Sequence, residues 1–424
     1  MIDEELIKRI LLEKPRKRPY VRRHIKLVDI DKIFTIIGPR RAGKTYFLFQ
    51  IADELQSKGT KAEQILYLNF EDERLSGIEK EDLQRIIDIF YASNPEVKGK
   101  KVYFMFDEIQ NVPEWQKFIR RLYDKENCTL YITGSSARIL SKEIATELRG
   151  RTWNYLVYPF SFKEFLSFKG IDEPEKCAYN ENRHRAIKLF NQYLLAGGFP
   201  EVVGLEEDQR NTILQNYYET VLFRDVIERN KLKQIDLVKD IFLHLINNFA
   251  REISVNRLYN RLKSQNRSVS RDFIYPLFDN IEDSMYCFFT PLHSDSAKKR
   301  MVNPKKVYFI DNGFIRSLIS KTEEKGWLYE NLVAAHLKKR GYEIRYHRAK
   351  WECDFIASDP LNRDKIPIQV SLKPYEEREI QGLLEAMDTV KTTRGTIITE
   401  SEEKTMEIDG KKICVIPAWK WLLE

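Results

Sequence analysis

The hydrophobic pattern alternates between two periods over the first part of the chain. Apolar runs that fit buried strands are separated by stretches that fit amphipathic helices. The predicted strands are Ile33–Ile37, Ile65–Phe70, Val102–Phe106 and Thr129–Thr133, and the predicted helices are Lys44–Leu55, Glu79–Tyr91 and Glu114–Asp124. Continuous apolar strands separated by helices are typical of a parallel sheet covered on both faces. The pattern therefore predicts a three-layer α/β domain over residues 31–160.

The pattern changes twice after this domain. Residues 161–246 predict mostly helices, and residues 247–325 contain a helix-turn-helix pattern. Its elements are a helix over Val255–Lys263 that Ser254 can cap, a polar turn, a second helix over Val269–Glu282, and an apolar strand over Lys306–Ile310. Pro276 lies inside the second helix and should kink it. Helices and strands alternate again over residues 326–424, which predicts a small C-terminal α/β domain.

Composition narrows the class of protein. Of 424 residues, 42% are hydrophobic, which is too rich for a disordered chain and sufficient for two or three domains. A net charge of +7 permits a nucleic-acid partner without requiring one. The five cysteines are widely spaced and form no C-x-x-C pair, which argues against a disulfide framework or a zinc ribbon. Without a signal-peptide core or a long apolar run, we expect a cytoplasmic protein that does not associate with membranes.

A basic stretch precedes the first strand. Lys14–His24 contains six Lys and Arg residues, and residues 1–30 are interpreted as a basic N-terminal arm. Two alternatives remain open for it. The arm is either a solvated segment, or it contacts phosphate groups or a second subunit.

A phosphate-binding loop is predicted between the first strand and the first helix. Its residues follow the spacing G-x-x-x-x-G-K-[ST] and are Gly38, Pro39, Arg40, Arg41, Ala42, Gly43, Lys44 and Thr45. The glycines allow backbone N–H groups to surround phosphate oxygens, and the helix N-terminus adds a positive field. Lys44 can reach the β and γ phosphates, and the Thr45 hydroxyl can bind Mg²⁺. Mg²⁺ and a nucleoside triphosphate such as ATP are therefore the predicted cofactors.

Two adjacent acids complete the predicted catalytic site. Asp107 and Glu108 follow the apolar strand Val102–Phe106 directly. Asp107 is expected beside Thr45 as a second Mg²⁺ ligand, and Glu108 is expected to polarise the attacking water. A glutamate after the aspartate favours hydrolysis over nucleotide sensing. The sequence thus predicts a hydrolase of a nucleoside triphosphate such as ATP.

Hydroxyl and guanidinium groups elsewhere are further candidates. Ser135 or Ser136, after the strand Thr129–Thr133, could lie near the γ phosphate, or Ser136 could cap the next helix. Phosphoryl transfer often uses an arginine from a neighbouring subunit, which would imply a homo-oligomer. The first candidates are Arg149 and Arg151, followed by Arg120, Arg121 and Arg224.

The whole chain resembles the archaeal and bacterial AAA+-type ATPases whose C-terminal region carries a domain of formerly unknown function. The segments that carry the resemblance are Gly38–Thr45, Asn69–Asp72, Phe106–Gln110, Thr133–Ser136, Leu148–Arg151, Tyr158–Phe165 and Leu195–Glu201. Tyr-Pro-Phe-Ser-Phe-Lys-Glu-Phe and Leu-Ala-Gly-Gly-Phe-Pro-Glu are the most specific of them. The resemblance implies a P-loop NTPase core over 31–160, a helical lid over 161–246, a winged-helix unit over 247–325 and a restriction-endonuclease-like α/β domain over 326–424.

The resemblance also implies a nuclease-type site in the C-terminal domain. Glu330 and Asp354 fit its two acids, but Gln369 replaces the expected glutamate and Ser371 the expected lysine. Lys373 could substitute, because it lies two residues further along the strand. Without the third carboxylate and the ammonium, Mg²⁺ would bind weakly and water would lack activation. We therefore expect a degenerate site and no nuclease activity.

Three functions fit these features. The first is a Mg²⁺-dependent ATPase whose turnover moves the winged-helix and nuclease-like module on DNA, with Lys263, Arg267 and Arg271 as candidate phosphate contacts. The second is a regulatory NTPase switch that binds protein partners without DNA. The third is an ATP-gated nuclease.

Overall fold

The chain folds into two compact units, Met1–Tyr158 and Pro159–Glu424. The structure is a computed structural model that describes residues 3–13, 19–134, 148, 150–179, 181–294, 296, 304–319, 325–372 and 376–424. The boundary between the units coincides with the predicted end of the first α/β domain. The three later segments, predicted as separate domains, all lie within the second unit.

A five-stranded parallel sheet forms the centre of the first unit. Its elements are α1 (Glu4–Leu12), β1 (Ile33–Ile37), α2 (Lys44–Ser57), β2 (Ile65–Asn69), α3 (Lys80–Ser93), β3 (Val102–Asp107), α4 (Trp115–Lys125), β4 (Cys128–Gly134) and β5 (Thr152–Leu156). The strand order is β2-β3-β4-β1-β5, and all neighbouring pairs are parallel. The predicted α/β class is confirmed, although β5 was not predicted. Because the strands are parallel, the phosphate loop and the ends of β3 and β4 share one edge of the sheet.

The described part of the N-terminal arm packs against this unit. Helix α1 contacts α3 and β2. The Arg23 side chain is buried and donates hydrogen bonds to the carbonyl oxygens of Ala42, at 3.0 Å, and Tyr158. The Tyr20 hydroxyl donates to Asp53 Oδ2 at 2.6 Å. The expectation of a solvated arm is therefore wrong for these residues, because two of them bond to the α/β core.

The second unit begins with helices, as predicted. They are α5 (Phe162–Phe168), α6 (Arg183–Ala196), α7 (Glu207–Thr220), a π-helical continuation over Val221–Glu228, and α8 (Ile235–Ile246). Helices α9 (Val255–Ser264) and α10 (Arg271–Asp283) follow, and Ser254 and Ser270 cap them by accepting backbone N–H bonds. Pro276 is the sixth residue of α10, and the helix continues through it.

Two sheets complete this unit. The first is antiparallel, in the order β6-β8-β7, with β6 (Glu252–Ile253), β7 (Cys287–Pro291) and β8 (Lys305–Phe309). The second has the order β13-β14-β12-β11-β10-β9. Its elements and the neighbouring helices are α11 (Asn312–Arg316), α12 (Lys325–Lys339), β9 (Glu343–Arg348), β10 (Glu352–Ser358), β11 (Lys365–Val370), α13 (Glu377–Val390), β12 (Arg394–Thr399), β13 (Lys404–Ile408), β14 (Lys411–Pro417) and α14 (Ala418–Trp421). A bridge between Leu292 and Tyr346 links the two sheets.

The Leu-Ala-Gly-Gly-Phe-Pro-Glu segment has a structural explanation. Asp311, at the start of α11, is buried and accepts hydrogen bonds from the backbone N–H groups of Gly198, at 2.6 Å, and Phe314, at 3.0 Å. Gly197 has φ +73°, and a Cβ there would lie 2.0 Å from Asp311 Oδ1. Only glycine fits this approach, so the two glycines fix the end of α6 against α11.

Among the described residues, no helix is both long enough and apolar enough to cross a lipid bilayer.

Candidate functional site

The phosphate loop joins β1 to α2 in a strained conformation. Arg41 and Gly43 have φ values of 64° and 95°, in the left-handed region. A Cβ on Gly38 would lie 1.9 Å from the Val157 carbonyl oxygen, so a larger residue cannot occupy that position. The loop backbone thus passes close to Val157 at Gly38 and then turns into the N-terminus of α2. The N–H groups there lack intrahelical partners and are free to bind phosphate oxygens.

The Lys44 ammonium is held inside this loop. The side chain is 5% exposed, and Nζ donates to the carbonyl oxygens of Gly38 and Pro39, both at 3.2 Å. Nζ also lies 3.5 Å from Glu108 Oε1. A buried ammonium within a phosphate-type loop is placed to bind an anion there.

Hydroxyl groups from one helix and two strands, α2, β2 and β4, converge on Asp107 at the end of β3. Asp107 Oδ2 accepts hydrogen bonds from Thr45 Oγ1 at 2.7 Å and from the Tyr67 hydroxyl at 3.0 Å. Asp107 Oδ1 accepts a bond from the Thr133 hydroxyl. Burial raises the pKa of Asp107, and the bonds from Thr133 and Thr45 offset part of that increase. A carboxylate beside a threonine hydroxyl is an oxygen donor set that suits Mg²⁺.

Glu108 is oriented by its backbone and by two side chains. Its φ of 53° places it in the left-handed region, and its backbone N–H donates to Thr133 Oγ1 at 2.9 Å. The Gln110 amide donates to Glu108 Oε2. Thr133 therefore bonds to both acids, so the end of β4 sets the position of the end of β3.

Sequence reasoning missed three residues of this network: Tyr67, Gln110 and Thr133. Thr133 carried a usable signal, because it is a hydroxyl residue at the end of an apolar strand that neighbours β3. Tyr67 carried none, since its contact with Asp107 depends on the pairing of β2 with β3, which the sequence pattern does not specify. Gln110 lies only two residues after Glu108, but its side-chain contact depends on the local backbone turn there.

Of the predicted hydroxyl and arginine candidates, only four arginines lie among the described residues, and these four are not assembled at the site. Ser135, Ser136 and Arg149 lie outside the described residues. Arg151 immediately precedes β5. Its carbonyl oxygen accepts a hydrogen bond from the Ile33 N–H at 2.9 Å, and its Nε lies 3.3 Å from Asp124 Oδ1. Arg151 therefore lies beside the first residue of β1, whereas the phosphate loop follows the last residue of β1. The two ends of that strand are roughly five residues, or 17 Å, apart.

The remaining arginine candidates lie elsewhere in the fold. Arg120 and Arg121 belong to α4, where Arg120 Nε is 3.8 Å from Asp124 Oδ2. Arg224 belongs to the second unit, in the π-helical segment. Within the phosphate loop, Arg40 Nη1 lies 3.4 Å from Glu71 Oε1.

An acidic cluster in the second unit brings together part of the predicted nuclease-type site. Glu330 of α12 and Asp354 of β10 are both buried and both contact the Lys306 ammonium, at 3.0 and 3.2 Å. Gln369 of β11 donates to Asp354 Oδ2 at 2.8 Å. Among the described residues, no group of three His, Cys, Asp or Glu side chains is arranged to hold a metal ion.

Of the other two predicted members, the structure describes only Ser371. The Ser371 hydroxyl donates to Glu379 Oε2 at 2.9 Å, which ties it to the first turn of α13. Ser371 follows the last residue of β11, and its place in a nuclease-type site stays a prediction. Lys373 lies outside the described residues.

Comparisons with known proteins agree with this geometry. Residues 30–166 match a family described as an AAA domain, and residues 187–325 match a domain of unknown function (DUF8612). The chain is 36% identical over 428 residues to the uncharacterized protein MJ1544 of Methanocaldococcus jannaschii, covering 97% of this chain and 93% of the relative. It is 33% identical over 408 residues to an uncharacterized protein of Haemophilus influenzae, covering 94% and 97%.

Similar solved structures are more distant. The Walker-type ATPase PABY2304 of Pyrococcus abyssi is 16% identical with a TM-score of 0.38, over 68% of this chain and 90% of that protein. The Aeropyrum pernix ORC1 protein in complex with DNA is 12% identical with a TM-score of 0.31, over 68% and 86%. The phosphate loop, the paired acids and the near full-length archaeal and bacterial relatives together place the chain: it belongs to their family, and its first unit is the AAA domain of a P-loop ATPase.

Proposed function

We propose that the protein is a Mg²⁺-dependent ATPase whose turnover moves a DNA-binding module in its second unit. The observation that carries the catalytic part is the hydrogen-bond network of Thr45, Asp107, Thr133 and Glu108, at the start of α2 and the ends of β3 and β4. It joins a phosphate loop to a candidate metal ligand and a candidate base through two hydroxyl groups, which is the arrangement that hydrolysis of a phosphoanhydride needs.

Each residue of the network has a distinct task in this proposal. Lys44 binds phosphate oxygens, and Thr45 and Asp107 would hold Mg²⁺. Mg²⁺, when bound, neutralises the charge of the phosphates. Glu108 accepts the proton of the attacking water, and Gln110 and Thr133 hold that carboxylate and its backbone in place.

The DNA part rests on the unit formed by α9, α10 and the sheet β6-β8-β7. Two capped helices together with a small antiparallel sheet support the proposal of a winged helix. The exposed basic residues of this unit lie on α9, on the turn after it and at the start of α10: Arg257, Arg261, Lys263, Arg267 and Arg271. A cluster of this kind favours phosphate contacts.

A switch that binds proteins without DNA is the second candidate, and one observation favours it. Arg267 Nη2 lies 2.7 Å from Asp240 Oδ2, and the guanidinium of Arg271 lies 4.8 Å from the centre of the Tyr259 ring. Arginines that already contact Asp240 and Tyr259 within the chain are less available to bind phosphate groups.

ATPase rates with and without DNA separate these candidates. We expect single-stranded, duplex or branched DNA to raise the rate several-fold in wild type and not in Lys263→Gln/Arg271→Gln. The matched control is Lys98→Gln/Lys100→Gln, which removes the same charge from exposed positions of the first unit. No DNA effect on rate and no DNA binding would favour the protein switch. Cleavage of the added DNA in Mg²⁺ or Mn²⁺ would favour the nuclease.

An oligomer with Arg151 acting in trans is a further part of the proposal. Because Arg151 lies at the far edge of its own sheet, it can serve only the site of another subunit. We therefore expect mixtures of Arg151→Ala and Lys44→Ala proteins to recover part of the ATPase activity that each lacks alone, since some interfaces pair an intact loop with an intact arginine.

The control for this mixture is Arg120→Ala, which removes another arginine beside Asp124. Arg120→Ala protein alone should hydrolyse ATP at near the wild-type rate if Arg151 contacts nucleotide and its pairing with Asp124 is not what matters. Mixtures that co-assemble and recover nothing would remove Arg151 from the site.

A further inference from the structure

A lysine occupies the centre of the acidic cluster in the second unit. Lys306 lies on β8, its side chain is 5% exposed, and its Nζ contacts three carboxylates. The distances are 2.8 Å to Glu352 Oε1, 3.0 Å to Glu330 Oε1 and 3.2 Å to Asp354 Oδ1. These acids come from α12 and β10, so a residue of the antiparallel sheet sits inside a cluster built by other elements.

Strand β8 and helix α12 are arranged to keep the lysine there. Lys306 and Tyr308 share a face of the strand, and the Tyr308 hydroxyl donates to Glu330 Oε1 at 2.6 Å. The next residue of the helix, Asn331, bonds to both backbone groups of Phe309, at 2.8 and 2.9 Å. These contacts hold β8 against α12, and they therefore fix the position of Lys306 Nζ beside Glu330.

The second oxygen of Asp354 is satisfied without a metal ion. Asp354 Oδ2 accepts hydrogen bonds from Gln369 Nε2 at 2.8 Å and from Val370 N–H at 3.0 Å, and Gln369 Oε1 accepts one from Asp354 N–H at 3.3 Å. A glutamate at position 369 would instead face Asp354 as a second anion. The glutamine thus avoids a fourth carboxylate in a cluster that already has three around one ammonium.

The contacts of Nζ are those of a charged, hydrogen-bonded ammonium. Its three distances to carboxylate oxygens, 2.8–3.2 Å, lie in the range of N–H···O hydrogen bonds, and an ammonium has three donors. Burial opposes the charged form of Lys306, but the carboxylates of Glu330, Asp354 and Glu352 outweigh it and hold the pKa of the ammonium well above its ordinary value. Lys306 therefore stays charged at neutral pH.

We propose that the Lys306 ammonium is the resident cation of this cluster, occupying the place that a divalent ion would take in a nuclease-type site. The cluster then joins β8 to α12 and β10 and binds neither Mg²⁺ nor Mn²⁺. This inference is independent of the ATPase and DNA proposals, because it concerns only contacts within the second unit.

A charge-rescue experiment tests the pairing. Lys306→Met keeps the length of the side chain and leaves the buried carboxylates unpaired, so we expect the melting temperature to fall by roughly 5–10 °C. The control Lys305→Met changes the same residue type on the opposite face of β8 and should have little effect. Adding Glu330→Gln and Asp354→Asn to Lys306→Met should recover at least half of the loss, because the unpaired charges are then removed.

The outcomes of this series are distinct. Lys306→Met as stable as Lys305→Met, or a triple variant no more stable than Lys306→Met, would overturn the proposal. If Lys306→Met does not fold, a folded triple variant supports the proposal, and failure of both contradicts it.

Mn²⁺ titration of the nucleotide-free protein tests the exclusion of metal directly. Wild type and Glu352→Gln should bind Mn²⁺ equally, as followed by the electron paramagnetic resonance signal of the free ion. Glu352 suits this test because its side chain is 40% exposed and its replacement disturbs the fold little. A Mn²⁺ site that is present in wild type and lost in Glu352→Gln would show that the cluster binds metal, and the proposal would be wrong.

Discussion

Glu108→Gln is expected to slow ATP hydrolysis by at least about 100-fold, on the scale of general-base loss, while ATP binding is retained. The amide keeps the shape of the side chain but cannot accept the proton of the attacking water. Lys44, Thr45 and Asp107 remain in place, so the phosphate contacts are preserved. Steady-state hydrolysis and equilibrium binding of a fluorescent ATP analogue measure the two effects separately.

The matched control is Glu96→Gln, the same substitution at an exposed position of the first unit. It should hydrolyse ATP at the wild-type rate. If Glu108→Gln did so as well, the water would have to be activated by another group. If Glu108→Gln lost ATP binding instead, its ion pair with Lys44 would be holding the loop together rather than serving the chemistry.

The core of this site could be predicted because its residues follow strands that the local pattern defines. Lys44 and Thr45 begin a helix after a buried strand, and Asp107 and Glu108 end another. In a parallel sheet such ends meet at one edge, so the strand pattern and the spacing of the loop were enough to bring the four residues together.

Contacts between distant segments could not be predicted in this way. Arg23 lies in a stretch whose charge indicated a solvated arm, yet its guanidinium bonds to the loop residue Ala42. Burial of a basic residue depends on carbonyl oxygens that only the folded chain supplies. Strand β5, with two polar and one exposed aromatic residue at its start, likewise lacked the apolar run that marks β1, β3 and β4.

Lys306 shows the same difficulty within the second unit. The residue was predicted only as part of an apolar strand, and the sequence pattern assigned no partner to its charge. The resemblance grouped Glu330 with Asp354, but the cation that contacts both comes from 24 residues before Glu330. Pairings across such separations depend on how sheets and helices dock, which periodicity does not encode.

Lys44→Ala is expected to abolish measurable ATP hydrolysis and to weaken nucleotide binding by about 10- to 100-fold, the range for losing a charge-assisted hydrogen bond. Among the residues that the structure describes around the loop, no other ammonium lies within it, and Arg40 is directed to Glu71. Lys58→Ala, at the exposed end of the same helix, is the matched control and should bind nucleotide normally.

Calorimetric titration with ATP, together with a thermal unfolding curve for each variant, separates lost binding from lost folding. Wild-type affinity in a folded Lys44→Ala protein would mean that phosphate is held by the loop backbone alone, and the ammonium would then act only during hydrolysis.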